Sequence, residues 1–202
     1  PGPKDNSFSR EHGLVDKFVV SFAGTLGFSQ DIEVIIKAAS LTKDVSDIMY
    51  LIVGDGPRKR EAEMLVRALK LKNVKLLPMV PHDKYPLVLN SSDISLATLK
   101  ADVKTPVVPS KILSIMSAGI PVITAMNLDG DAPRLVKKAK AGITVPPEDP
   151  KALADAILKL YENEKLRKEL GRNGRKYIEQ HLSSKHAARI YENLFRLVSQ
   201  AN

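Results

Sequence analysis

Six short apolar runs, separated by segments of helical periodicity, constrain this chain more than any other feature. The runs are Phe18 to Ala23, Ile48 to Val53, Val74 to Leu77, Ile94 to Leu99, Pro121 to Thr124 and Gly142 to Val145. Each is too short for a buried helix and reads as a strand buried on both faces. Between the first two, Asp31 to Leu41 sets Ile32, Ile35, Ile36 and Ala39 on one helical face. The segment after Pro57 does the same with Ala62, Leu65, Val66 and Leu69, and Pro57 suits its first helical position. Further helices are expected over Asp83 to Ser91, after Ser110 and over 131–139. Strands alternating with helices at this interval imply a parallel sheet with right-handed crossovers. The expected fold is α/β, a doubly wound, Rossmann-like sheet of six parallel strands ordered 3-2-1-4-5-6. Ligands of such a sheet bind beyond the carboxyl ends of its strands. The loops to inspect are therefore Gly24–Gln30, Gly54–Arg58, Pro78–His82, Leu99–Lys111 and Ala125–Asp131.

The ends of the chain read differently. Residues 1–17 are polar, contain Gly and Pro, and are expected to be a linker. The chain begins Pro-Gly-Pro rather than Met, so it is expected to be a piece of something longer. Asp149-Pro150 is a helix start, an N-cap followed by Pro, with Leu153, Ala156, Ile157 and Leu160 as its buried face. A second helix is expected over Glu164 to Gln180. A third, from about Ser183, carries Ala187, Ile190, Tyr191, Leu194 and Leu197 at core spacing. The expected division is a ligand-binding domain over 18–182 and a separate C-terminal helix over 183–202.

Net charge is +8, and Lys159 to Gln200 holds ten Lys/Arg against five Asp/Glu. These charges lie on amphipathic segments, and only five Phe and five Tyr occur. Nothing resembles a base-stacking platform or a recognition helix, so nucleic acid is not an expected partner. A solvated helical face near anionic lipid is the better reading. The chain has no cysteine, which removes disulfides, thiolate nucleophiles and cysteine zinc sites together. No apolar run reaches membrane-spanning length. The expected location is cytoplasmic, with contact to a membrane surface.

Residues 107–124 hold the densest chemical signal. Pro109 and Ser110 open a helix, Lys111 sits in its first turn, and Gly119 closes it. A cation is electrostatically awkward at a helix N-terminus, which already carries partial positive charge. It is at ease there when an anion lies beside it, so Lys111 with the helix start makes a compact phosphate site. Gly24-x-x-Gly27 follows the first strand and lets backbone N–H groups approach an anion, though it lacks the three-glycine dinucleotide fingerprint. Gly54-Asp55-Gly56-Pro57 is a turn in which Asp55 is expected to cap the next helix. Asp102, Asp129 and Asp131 form no metal or acid-base motif, and His12, His82, His181 and His186 show no metal spacing. The expectation is no metal and no cofactor.

Seven weak motifs in order carry a resemblance. They are Ala-Gly-Thr-Leu-Gly at 23–27, Ile-Val-Gly-Asp-Gly-Pro at 52–57, and Asn73-Val-Lys-Leu-Leu-Pro-Met-Val. Then come Ser92-Asp93-Ile94, Pro-Ser-Lys at 109–111, Ala118-Gly-Ile-Pro-Val, and Ala141-Gly-Ile-Thr-Val-Pro-Pro-Glu-Asp-Pro-Lys-Ala-Leu. Together they resemble the C-terminal, donor-binding half of a retaining GT-B glycosyltransferase of family four, over nearly the whole chain. The Gly-Thr-Leu-Gly and Pro-Ser-Lys variants look most like the amino-sugar transferase subgroup of surface-polysaccharide assembly.

The resemblance implies a nucleotide-diphosphosugar donor, expected to be UDP-linked, and a hexosyl transfer in polysaccharide or glycolipid synthesis. The base would lie against Gly54, Gly56, Pro57 and the backbone near Met79 and Val80. The diphosphate would meet Gly24, Thr25, Gly27 and Lys111, with Lys111 as the catalytic cation. The ribose would face Ser110 and Ser114. It also implies an acceptor-binding N-terminal half outside this chain, with the C-terminal helix packing back toward it, so that the chain alone would transfer nothing. The sequence departs from the family pattern at four places. Thr25 and Gln30 stand where the family has Arg and Lys, and Pro106 and Ser114 fall where it has a pair of Glu. Two other readings remain, a sugar-nucleotide epimerase of the same architecture and a non-catalytic glycosyltransferase subunit.

Overall fold

Six strands form one parallel sheet in the order β3-β2-β1-β4-β5-β6. They are β1 (Phe18–Ala23), β2 (Ile48–Val53), β3 (Val74–Leu77), β4 (Ile94–Thr98), β5 (Val122–Ala125) and β6 (Gly142–Val145). This is a computed structural model, and it describes residues 1–104 and 108–200. Val20 pairs with Tyr50 on one side of β1 and with Ile94 on the other, so β1 and β4 are the central strands. Both are buried along their whole length, which explains their largely apolar runs. Three buried hydroxyls, on Ser21, Ser95 and Thr98, interrupt that pattern, and Ser21 Oγ donates to Ser95 Oγ at 2.9 Å, bridging β1 and β4.

Helices cover both faces. On one, α2 (Ile32–Leu41), α3 (Lys59–Ala68) and α7 (Pro150–Glu162) pack on Phe18, Val20 and Phe22 of β1 and on Ile48 and Tyr50 of β2. On the other, α5 (Ser110–Ser117) and α6 (Asp131–Ala139) share a core with Ala97 and Val122 of β4 and β5. There α4 (Tyr85–Asn90) meets Val19 and Leu51. The predicted cap of α7 is present, with Asp149 accepting from Ala152 N at 2.8 Å. Helix α8 (Glu164–Tyr177) runs into a π-helical turn, Ile178–Leu182.

The segment 1–17, expected to be a linker, is structured. It contains α1 (Ser7–Glu11), where Asn6 accepts from Ser9 N and Ser9 Oγ accepts from Asn6 N, a reciprocal capping box. Phe8 and Leu14 are buried against Val19, Val53 and Val88. Two isolated apolar residues make no period, so the pattern could not reveal this packing. At the other end, α9 (Ser184–Gln200) stands apart. Its Ile190, Tyr191 and Leu194 are 52%, 60% and 51% exposed, and Phe195 and Val198 are exposed beside them. The Leu197 side chain and residues 201–202 lie outside the described residues.

Candidate functional site

Strand order reverses between β1 and β4, and the loops after these strands diverge there to leave a crevice. One wall is the β1–α2 loop, which is laced to the β2–α3 loop. Gly24 N donates to Val53 O at 2.9 Å, Leu26 N to Asp55 O at 2.8 Å, and Arg58 N to Leu26 O at 3.0 Å. The lacing needs close backbone contact. A Cβ on Gly54 would overlap the Gly24 carbonyl oxygen, and one on Gly56 would press on Leu26 O. Asp55 does not cap α3, contrary to expectation. Its carboxylate accepts from Gly56 N at 2.8 Å and from Lys59 Nζ at 3.1 Å, and α3 begins only at Lys59. Pro57 thus precedes the helix and is not its first residue.

The other wall is the start of α5. Its N-cap residue is Pro109, which has no side chain to bond the first-turn N–H groups. Lys111 leaves this turn and reaches over the carboxyl end of the sheet. Its Nζ sits 3.6 Å from the centroid of the Phe22 ring and donates to Gln30 Oε1 at 3.1 Å. Gly24, at φ +141°, leaves room for it, since a Cβ there would stand 3.2 Å from Nζ. Among the described residues no carboxylate forms an ion pair with Lys111. Desolvation in this position pushes its pKa down to about 7.

Helix α2 also points its N-terminus toward this end of the sheet, but that terminus is already occupied. Buried Asp31 caps it, accepting from Val34 N at 3.0 Å. An anion entering the crevice therefore meets α5 and Lys111 without competition from α2 for the same role.

The crevice holds about 560 Å³, within the usual range for a small-molecule site. Of the residues singled out from the sequence, Gly24, Thr25, Met79, Val80, Ser110, Lys111 and Ser114 line it together. Gly27, Gly54, Gly56 and Pro57 do not, and the two inner glycines serve the packing of loop on loop. Lys100 lines a separate cavity with Asp31 and Glu148. Pro106, one of the departures from the family pattern, lies outside the described residues. Ser114 Oγ donates weakly to Ser110 O at 3.4 Å. Burial raises the pKa of the Tyr85 phenol, and a hydrogen bond with Ser114 partly offsets this. Sequence reasoning missed Tyr85 and the Phe22 ring, neither of which sits in a motif, and treated His82 only as a metal candidate. Among the described residues no group of three or more His, Asp or Glu is placed to hold a metal ion. No helix among them is long and apolar enough to cross a membrane.

The chain thus presents a doubly wound α/β domain with a cleft at the switch point of its sheet. The family model of the glycosyl transferases group 1 matches residues 4–177, and the chain belongs to that family. It is 27% identical over 164 residues to the alpha-D-kanosaminyltransferase of Streptomyces kanamyceticus, covering 80% of this chain and 41% of the other. It is 28% identical over 187 residues to an uncharacterized glycosyltransferase of Methanocaldococcus jannaschii, covering 91% of this chain and 46% of the other. The chain thus spans less than half the length of these curated relatives. Anabaena HepE in complex with UDP superposes with a TM-score of 0.83 at 21% identity, over 97% of this chain and 54% of that one. The C-terminal domain of the group 1 glycosyl transferase LpcC from Francisella tularensis superposes with a TM-score of 0.73 at 19% identity, over 90% of this chain and 95% of that one. The fold is that of one half of a GT-B glycosyltransferase.

Proposed function

We propose that this chain is the donor-binding half of a sugar-nucleotide glycosyltransferase that retains anomeric configuration. The observation that carries the reading is Lys111, an ammonium with no carboxylate partner among the described residues, at an uncapped helix start inside a cleft of about 560 Å³. A diphosphate supplies the negative charge that this arrangement lacks. The departing nucleoside diphosphate gains charge as the sugar bond breaks, and Lys111 with the α5 N–H groups stabilises that charge electrostatically. Thr25 on one wall of the cleft and Ser110 on the other offer hydroxyls. The base lies toward Met79 and Val80, where the cleft is apolar. A UDP-linked amino sugar is the expected donor. Its support is the kanosaminyltransferase relative and the HepE structure, which contains UDP. The acceptor, and any acid or base acting on it, belongs to a further half of the protein. The apolar face of α9 is where that half docks, and this chain alone binds donor without transferring it.

Gln30 and Ser114 favour a second reading, a subunit that keeps the fold without the reaction, because neither supplies the charge that the family pattern places there. Calorimetric titration of the chain with UDP, GDP, dTDP and their sugar conjugates separates the two. Binding of at least one conjugate supports the transferase reading. Absence of binding at millimolar concentration across the panel favours the non-catalytic subunit.

A further inference from the structure

Among the described residues that line the cleft, Lys111 is the only Lys, Arg, Asp or Glu. Thr25, Gln30, Ser110 and Ser114 add polarity without charge. The acids of the neighbouring loops are engaged elsewhere, Asp31 with Val34 N and Asp55 with Lys59. An anion in the cleft therefore meets one full positive charge and the partial charge of the α5 start.

Gln30 keeps the count at one. Its Oε1 stands 3.1 Å from Lys111 Nζ. An ammonium can only donate, so the carboxamide must present its oxygen to Nζ and turn its –NH2 away. Gln30 lines the cleft, and among the described residues no protein group accepts a hydrogen bond from its Nε2. One end of the amide steadies the ammonium, and the other end offers neutral donors. A glutamate there would pair with Lys111 and cancel its charge. A lysine there would donate as well, but with a second positive charge.

Resting on the donor-site reading above, we propose that Gln30 is a specificity-determining residue. Its Nε2 donates to the diphosphate, and by adding a donor without a charge it leaves the cleft no means to favour the free nucleoside diphosphate over the sugar conjugate. The two ligands differ by about one charge at slightly alkaline pH. Only the free diphosphate has a terminal phosphate, whose second proton leaves at a pKa of about 6. That extra charge must shed water to enter the cleft, and attraction to a single ammonium does not exceed the cost. A second cation would tip the balance and retain the product after the sugar has gone. Lys111 meets the charge that develops as the sugar bond breaks, while the neutral Gln30 lets the charged product leave.

The test is calorimetric titration of the 202-residue chain with two pairs, UDP with UDP-glucose and GDP with GDP-mannose. The pH is 7.5, the salt concentration is fixed and EDTA is in excess, and the readout is the ratio of affinities within each pair. In wild type the free diphosphate should bind less than roughly tenfold more tightly than its conjugate, because the desolvation of the extra charge offsets its attraction to Lys111. Gln30→Lys should tighten the free diphosphate at least roughly tenfold more than the conjugate, the lower end for a hydrogen bond between charged groups. Thr25→Arg adds a cation to the same cleft without touching the bond between Gln30 and Lys111, and should move the ratio the same way. Gln30→Met loses both ends of the amide, so it should weaken both ligands alike and leave the ratio unchanged. A merely structural role for Gln30 would alter both ligands equally in Gln30→Lys as well. That result would overturn the inference and leave the donor site standing. A wild type that already prefers the free diphosphate by a larger factor would do the same. Failure to bind any of the four nucleotides would overturn the donor-site reading together with the inference built on it.

Discussion

The Lys111 Nζ stands 3.6 Å above the Phe22 ring, and this contact joins the two sides of the sheet. Phe22 belongs to the core beneath α2, α3 and α7, while Lys111 springs from a helix packed on the opposite face. The lysine therefore crosses the carboxyl edge at the switch between β1 and β4. It costs the unliganded fold stability, because a charge is placed against a ring with only one hydrogen-bond acceptor nearby. Sites that bind anions commonly carry such a cost.

That cost has a sign. The pKa of Lys111 falls from 10.5 to about 7 on folding, so between these values the unfolded chain binds the extra proton. Wild-type stability therefore rises as pH rises through this window, and below it the full penalty is present. Lys111→Met should raise the Tm at pH 6 by several degrees, each kcal/mol being worth about 2–4 °C in a chain of this size. The gap should close toward pH 10. Differential scanning calorimetry at a series of pH values checks this, and a Tm lowered at pH 6 would contradict it.

Gly54→Ala should disturb the site without touching it. The new methyl overlaps Gly24 O, and the two loops are laced by three backbone hydrogen bonds that cannot all persist if they part. Loss of about 1–3 kcal/mol is expected, the usual size of forced overpacking, with a matching loss of donor affinity. Thermal melts and a titration on the same variant read both. An unchanged Tm would show that the loops can separate freely.

The exposed face of α9 predicts a different outcome. Leu194→Ser with Phe195→Ser should change the Tm of this chain by no more than about 1 kcal/mol equivalent, since both residues are largely solvated here. The same pair should lower binding of a hydrophobic dye and reduce self-association. A large loss of stability would mean that the face is already covered.

Nucleotide binding should be indifferent to a chelator. Among the described residues no cluster of carboxylates or histidines has ligand geometry, and Lys111 with the α5 start supplies positive charge at the cleft. Titration of UDP with and without EDTA decides it. A requirement for a divalent cation would contradict the role given to Lys111.

Strands β1, β2, β4 and β5 were legible because burial makes each a largely apolar run, whereas β3 and β6 are mostly half-buried and were legible from their place in the βα alternation. Lys111 was legible because a cation in a first helical turn is locally unfavourable. Phe22 was not, because its ring reads as core and only the third dimension brings the lysine over it. Gln30 stood out as a departure from a pattern, but its bond to Lys111 spans 81 positions of sequence. The glycines at 54 and 56 have a second role that only the three-dimensional packing displays. Sequence does not show that the missing side chains at these positions let one loop lie on another. Residues 1–17 were misread because α1 is fixed by a capping box and two buried side chains, too few to make a period.

Lys111 is the proposed cation of the diphosphate site. The most direct measurement is calorimetric titration of a nucleoside diphosphate into wild type, Lys111→Ala and Ser114→Ala at pH 6 and one fixed salt concentration. Lys111→Ala should lose about 1.5–3 kcal/mol, the size of a charge-assisted hydrogen bond, and Ser114→Ala on the order of 1 kcal/mol. Wild-type affinity in Lys111→Ala would contradict the role given to Lys111 and place the phosphate elsewhere, with Lys100 and Lys104 as the next cations to replace.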